Sequence, residues 1–373
     1  MDALFPFGFP WPTAMYLTLF IVTAAIYMVF MNYVLAGGIV LLVGYLAPGA
    51  RRRVAGGPGS TTRSGLGLIL KVVGDWLPAV LGVAITTGVA PLLFLQILYK
   101  RQFYTANLLL FNRFMLLLPA LIVAYYMLYI VKSHALAARG PMLRGLVAFV
   151  AFVCFLYTAW AWTENHVLSL HEEAWKHHYE SSNYIYRNAE IWPRLGYYIT
   201  ASFASLAVAL AWQLHWGRRF HDPVNLDLAS RRLRALALLG LATSAAEAWL
   251  WELWLDSPAR AVLASSLALP YGLAALAGMG IQVAGWLTVK TGADMSTRRL
   301  ALISAGAIMT IVGSLVIREA RRLAAIDIAA LYDAHRQAGQ VGGVGAFLVF
   351  FAINAAVITA SFLIVRRALG RQN

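Results

Sequence analysis

The chain has 373 residues, of which 61% are hydrophobic and only 12% are charged. Soluble domains carry roughly 25% charged residues, so this composition excludes an ordinary soluble enzyme and favours a membrane protein. The single cysteine, Cys154, excludes disulfides within the chain, c-type haem attachment and iron–sulfur ligation. The net charge of +14 comes largely from short basic loops without interleaved aromatic residues, which argues against nucleic acid as a partner.

Long apolar runs predict an all-α, polytopic membrane helix bundle. A run of about 20 apolar residues crosses the hydrocarbon core of a bilayer as a helix. Nine such spans are predicted, and they form a single transmembrane domain over residues 1–373. In chain order they cover 11–46, 69–98, 107–131, 145–163, 194–216, 235–255, 263–288, 300–317 and 344–365.

The distribution of basic residues predicts the orientation. The loops after spans one, three, five and seven, together with the tail, hold more than half of the 30 Lys and Arg residues. Loops rich in Lys and Arg stay on the cytoplasmic side. The N-terminus is therefore expected outside and the C-terminus in the cytoplasm. Two polar segments, 164–192 and 318–342, are expected on the outer face.

Four charged residues fall inside predicted spans, namely Asp75, Arg113, Glu247 and Glu252. A charge within the bilayer costs a few kcal/mol on insertion scales, so it normally has a partner or a function. Arg113 lies at the same predicted depth as the two glutamates, whereas Asp75 lies near the opposite end. We expect Arg113 to pair with Glu247 or Glu252. The alternative is a proton or ion path.

The segment HVLSLHEEAWKHHYESSNYIYRN is the richest in chemically versatile side chains. His171 and His178 are seven residues apart, which would place them on one face of a helix, and with Glu172 they could ligate a metal ion. The alternative is an amphipathic lid or a docking surface that contacts another protein chain.

Two further histidines, His134 and His215, fall at the cytoplasmic ends of predicted spans. They are candidate ligands of a haem between the helices, because such a haem needs two imidazoles facing each other. The alternative is a pair of interfacial histidines that contact water or lipid phosphate.

Three stretches resemble subunit I of cytochrome bd quinol oxidase. The first span begins PTAMYLTLF, the second contains AVLGVAITTG, and the fifth begins WPRLGYYITASFASLAVA. In that family the corresponding helices carry TAMYH, LGVATG and an RYLH-type opening. The resemblance covers about the first 215 residues, and it implies a nine-helix fold with the N-terminus outside.

The departures from this family concern its haem and quinol sites. The resemblance places Leu17, Tyr197 and Leu273 where the family has its haem ligands, with Met279 near the last of them. Leu and Tyr cannot replace an imidazole at a low-spin haem. The acidic residues of the family's third helix are also missing, and the long quinol-binding loop is reduced to the turn LDSPAR.

These patterns predict a multi-pass subunit of a respiratory electron-transfer complex in a bacterial inner membrane. It is expected to lack its own haem and quinol sites. Its expected partners are other membrane subunits, including a homologous subunit, and a periplasmic cytochrome c. Lipid is expected around its apolar helices. A redox subunit that binds haem b or quinone through relocated ligands is one alternative. An ion or solute transporter is the other.

Overall fold

The computed structural model describes residues 5–6, 8–46, 65–181, 183–254, 257–341 and 344–370. These residues form α-helices with short connections, and the described ranges contain no β-strand. We number the helices in chain order as α1 (Trp11–Leu46), α2 (Gly65–Leu98), α3 (Lys100–Leu109), α4 (Phe111–Met115), α5 (Leu117–Lys132), α6 (His134–Ala138), α7 (Pro141–Leu170), α8 (Ala174–Glu180), α9 (Ile191–Trp216), α10 (Pro223–Trp254), α11 (Ser257–Leu263), α12 (Leu269–Leu287), α13 (Thr297–Ala324), α14 (Ile328–Val341) and α15 (Val344–Gly370). Two 3₁₀ turns lie at Arg218–Phe220 and Gly292–Asp294.

Within the described ranges, seven helical segments are long and apolar enough to cross a membrane. They are α1, α2, Phe111–Lys132, α7, α9, α10 and α13. The predicted all-α fold is confirmed, and these helices indicate a multi-pass membrane protein. The count of nine spans and the orientation stay predictions. The predicted seventh span corresponds to α12, which begins at Leu269 instead of at 263, and the predicted ninth corresponds to α15.

Helix α1 lies at the centre of the bundle. It packs against α2, α7, α9, α13 and α14. One apolar cluster joins its C-terminal half to α2, α7 and α9, while a second joins its N-terminal half to α13 and α14. Helix α1 has a high mean hydropathy and carries apolar residues on all its faces, as expected for a helix surrounded by others.

Different charged residues and chain connections lie at the two ends of the bundle. At one end, Arg231 Nε donates to the carbonyl of Lys290 at 3.3 Å, and the backbone N–H of Gly292 donates to Asp227 at 2.6 Å. The first turns of α10 therefore contact the loop after α12 at one end of the bundle. The other end holds the C-termini of α7 and α13 and the N-terminus of α9, and we call it the network end.

The helices at the network end run further than predicted. Helix α7 continues to Leu170 and α13 to Ala324, so the first seven residues of each predicted polar segment belong to a helix. The reason is that Glu164, Glu319 and Arg322 face the bundle, where they are buried and paired. From hydropathy alone, these side chains are expected in polar segments beyond the spans.

Glycines allow α12 and α13 to approach each other closely. A Cβ added at Gly278 would lie 2.5 Å from the carbonyl oxygen of Gly306, and one added at Gly306 would lie 2.7 Å from that of Gly278. Small residues at such crossings let helix backbones pack directly in a membrane. By contrast, a Cβ added at Gly280 on the same helix would have no atom within 4 Å.

We predict that Gly278→Ala lowers the free energy of unfolding by about 1–3 kcal/mol, because the added methyl group overpacks the crossing. Gly280→Ala is the matched control, and alanine's higher helix propensity should leave it neutral or slightly more stable. The midpoint of thermal unfolding in detergent measures both variants. Equal midpoints for the two would contradict the close crossing.

Candidate functional site

The carboxylate of Glu190, just before α9, is the main acceptor at the network end. Its Oε1 accepts hydrogen bonds from Arg194 Nη2 at 2.6 Å, Arg321 Nη2 at 2.7 Å and Trp251 Nε1 at 3.1 Å. Its Oε2 lies 3.8 Å from Nε2 of His171. One side chain thus joins the end of α7 to α9, α10 and α13.

The indole of Trp251 adds a second type of contact to this group. The guanidinium carbons of Arg194 and Arg321 lie 4.8 Å and 4.7 Å from its ring centre. Guanidinium groups at this distance from an indole face are attracted by the ring quadrupole, most strongly where water is excluded. The Arg194 side chain is only 1% exposed, so Glu190 and Trp251 replace part of its lost hydration, while its Nη1 has no hydrogen-bond partner among the described residues.

A second carboxylate, Glu319, continues the ion network along α13. It is fully buried, with Oε1 3.1 Å from Arg318 Nε and Oε2 3.2 Å from Arg322 Nη1. Arg322 also contacts Nδ1 of His166 and lies over the ring of Tyr99, 4.6 Å from its centre. A guanidinium group can only donate, so this contact fixes His166 Nδ1 as the acceptor.

We define the ion network as six residues: Glu190, Arg194, Arg318, Glu319, Arg321 and Arg322. It contains four guanidinium groups and two carboxylates, and the least buried of these side chains, Arg318, is 17% exposed.

The predicted partner of Arg113 was wrong. Its Nε lies 3.0 Å from Oε2 of Glu164, a fully buried residue on α7, and among the described residues it forms no direct pair with Glu247 or Glu252. The other oxygen of Glu164 accepts from the backbone N–H of Tyr186 at 2.7 Å. The extension of α7 to Leu170 is the physical cause, because it carries Glu164 into the bundle opposite Arg113.

The other three predicted intramembrane charges have separate environments. Asp75 is half-exposed and lies 3.6 Å from Lys132 Nζ, and this pair links the third turn of α2 to the end of α5. Glu247 is partly buried, and its carboxyl carbon would lie 3.0 Å from a Cβ added at Gly196 of α9. Glu252 lines a cavity described below.

The structure does not bring His171, His178 and Glu172 together. His171 directly follows α7 and contacts Glu173 and Glu190, whereas Glu172 pairs with Arg101 at 2.9 Å. His178 is buried on α8, edge-on to the ring of Tyr186. No group of three or more His, Cys, Asp or Glu residues in the described part of the chain is placed to hold a metal ion.

Of the two predicted haem ligands, His134 and His215, only the side chain of His215 lies in the described part of the structure. The ring of His215 accepts from or donates to Thr297 Oγ1 at 3.0 Å and packs edge-on against Trp212. The backbone of His134 begins α6, and its side chain lies outside the described part of the structure.

The larger cavity, of about 580 Å³, lies between α9, α10, α12 and α13. Tyr197, Leu273 and Met279 all line it, so two of the positions that the resemblance assigns to haem ligands meet in one place. Tyr197 Oη lies 2.9 Å from Ser314 Oγ, and Leu273 offers no donor atom. The third such position, Leu17, is fully buried in the core around α1. This set of side chains does not fit an axially ligated low-spin haem.

A smaller cavity, of about 190 Å³, lies between α1, α2 and α7. His166, Asn165 and Arg322 line it on the polar side. Tyr198 and Arg318 line both cavities, so the two spaces adjoin at the ion network. Neither cavity is lined by Asp75.

The pKa values of His171 and Glu190 are shifted in opposite directions. The interaction with Glu190 outweighs the burial of the His171 ring and, together with Glu173, raises the pKa of His171. Burial would raise the pKa of Glu190, but His171, Arg194 and Arg321 together hold it below its usual range. Glu190 is therefore ionised at neutral pH, and it favours the imidazolium form of His171.

The ion network is absent from the sequence-based predictions, although spacing signals are present. Glu190 and Arg194 are four residues apart, and Glu319 and Arg322 are three apart, which places each pair on one helix face. Both pairs lie beyond the most apolar part of each span, where hydropathy alone predicts solvated segments.

Comparisons with family models, with curated proteins and with solved structures find no match to this chain. The arguments about the site therefore stand on its own geometry.

We predict that His171→Gln lowers stability most at about pH 6 and least at alkaline pH. A histidine with a raised folded pKa contributes stability that is fully present below its unfolded pKa of about 6.5 and is lost as the pH rises through the folded value. The midpoint of thermal unfolding, measured between about pH 5.5 and 9, gives the difference from the wild type.

His177→Gln is the matched control for this titration, because His177 is an exposed neighbour on α8. A difference between wild type and His171→Gln that stays constant over the whole pH range would contradict the bridge to Glu190.

Proposed function

We propose that the protein is an integral-membrane subunit of a respiratory electron-transfer complex in a bacterial inner membrane, and that it carries no axially ligated haem of its own. The resemblance to cytochrome bd subunit I is the reason for the first part of this proposal, and the side chains at the three resembled ligand positions are the reason for the second. Leu17 is packed in the core, the hydroxyl of Tyr197 is bonded to Ser314, and Leu273 offers no donor. The long apolar helices support the membrane location.

The exposed aromatic residues around α8 support a role in assembly. Tyr179 is 76% exposed, Tyr184 is 70% exposed and Trp192 is 58% exposed. Tyrosine and tryptophan are enriched at protein interfaces and in membrane interface belts. A homologous membrane subunit and a periplasmic cytochrome c are the partners that we propose for this surface, with lipid around the remaining apolar helices.

A second candidate function rests on Met279. Its side chain lines the same cavity as Tyr197, and a thioether is a known haem ligand. In that case the chain would be a redox subunit that holds haem b or a quinone through relocated residues. The two candidates differ in whether a chromophore accompanies the isolated chain.

Purification of the tagged chain from its own membranes in mild detergent tests the proposal. We expect other membrane proteins to copurify and the chain to show no haem absorption after it is separated from them. A haem spectrum that stays with the separated chain and is lost in Met279→Leu, but not in the exposed control Met142→Leu, would support the second candidate. Isolation of the chain alone, without partners or a chromophore, would contradict both.

A further inference from the structure

We propose that the larger cavity binds an amphipathic molecule with an anionic headgroup, either a carboxylate or a phosphate. The headgroup would contact Arg318 and Arg321 at the network end of the cavity, and the apolar tail would lie along α10 and α12. This inference uses only the shape and charge of the cavity, so it does not rest on the proposed function.

The cavity has the size and lining that an apolar tail requires. Its volume of about 580 Å³ falls within the range of ligand sites, roughly 300–1,000 Å³. Small side chains such as Ala201, Ala248 and Ala275 line its walls. Leu273 and Leu276 line it as well and are 58% and 64% exposed. The cavity therefore opens sideways past α12, toward the side that lipid would occupy.

The polar side of the cavity offers hydrogen-bond donors. A guanidinium group has five N–H donors and no acceptor. Arg318 uses its Nε toward Glu319, and Arg321 uses Nη2 toward Glu190. The Nε of Arg321 has no hydrogen-bond partner among the described residues. Carboxylate and phosphate oxygens are the groups that match such donors best.

The charge balance favours an anion over a neutral headgroup. The ion network holds four guanidinium groups against two carboxylates, and all six side chains are largely removed from water. Glu252 and Arg260 also line the cavity, but they add one charge of each sign. A buried positive charge without a neighbouring negative charge destabilises the fold, so an anion at Arg318 and Arg321 would stabilise the site.

Native mass spectrometry of delipidated protein tests this proposal. The probes are phosphatidylglycerol, phosphatidylcholine with the same acyl chains, and palmitate, each added to the full chain in detergent. We expect an anionic probe to be retained about tenfold more than phosphatidylcholine, as one charge-assisted hydrogen bond of typical strength would give. Retention of phosphatidylglycerol identifies a phospholipid headgroup, and retention of palmitate alone identifies a free carboxylate.

Two variants test the contacts of the headgroup and of the apolar tail separately. Arg318→Gln should weaken binding of the anionic probe about tenfold, while the exposed control Arg336→Gln should not. Since Arg318→Gln could also disturb the pairing of Glu319, Ala248→Phe blocks the tail and leaves every charge in place. Ala245→Phe is its control, because Ala245 is exposed on the same helix and does not line the cavity.

Three results would overturn the proposal. The first is equal retention of phosphatidylcholine and both anionic probes by the wild-type protein. The second is unchanged binding in Ala248→Phe. The third is an equal loss of binding in Arg318→Gln and Arg336→Gln, which would indicate attraction to the general surface charge.

Discussion

The hydrogen bonds to one oxygen of Glu190 connect residues that lie far apart in the sequence, on three long helices. Oε1 accepts from side chains on α9, α10 and α13, at distances between 2.6 and 3.1 Å. The donors Arg194 and Arg321 are 1% and 9% exposed, so neither can exchange this partner freely for water. The relative placement of these three helices at the network end depends on that carboxylate.

Each buried charge in the ion network needs an oppositely charged neighbour, because an unpaired charge inside the bundle is strongly destabilising. Removing one member of a buried pair typically costs about 3–5 kcal/mol, because the other charge is left unpaired in a medium of low polarity. Glu319 forms ion pairs with Arg318 and Arg322, just as Glu190 forms ion pairs with Arg194 and Arg321. Because each carboxylate pairs with two guanidinium groups, the ion network has a net positive charge next to both cavities.

The sequence predicted where the apolar parts of most long helices lie, but not which helices contact each other or where α7 and α13 end. Apolar runs predicted α1 at the residues where it occurs, since a run of that length has no other stable form in a bilayer. Depth along a span predicted that Arg113 needs a partner, but not which helix supplies it. That choice depends on rotation about each helix axis and on where α7 ends. His171 and His178 diverge for a related reason, because the chain leaves the helical path after Leu170.

A double-mutant cycle between Glu190 and Arg321 tests the central claim most directly. The free energy of unfolding is measured for the wild type, Glu190→Gln, Arg321→Gln and the double variant under the same detergent conditions. A buried, hydrogen-bonded charge pair predicts a coupling energy of about 2 kcal/mol, with the double variant less destabilised than the sum of the single ones. Effects that add within about 0.5 kcal/mol would contradict the role assigned to Glu190.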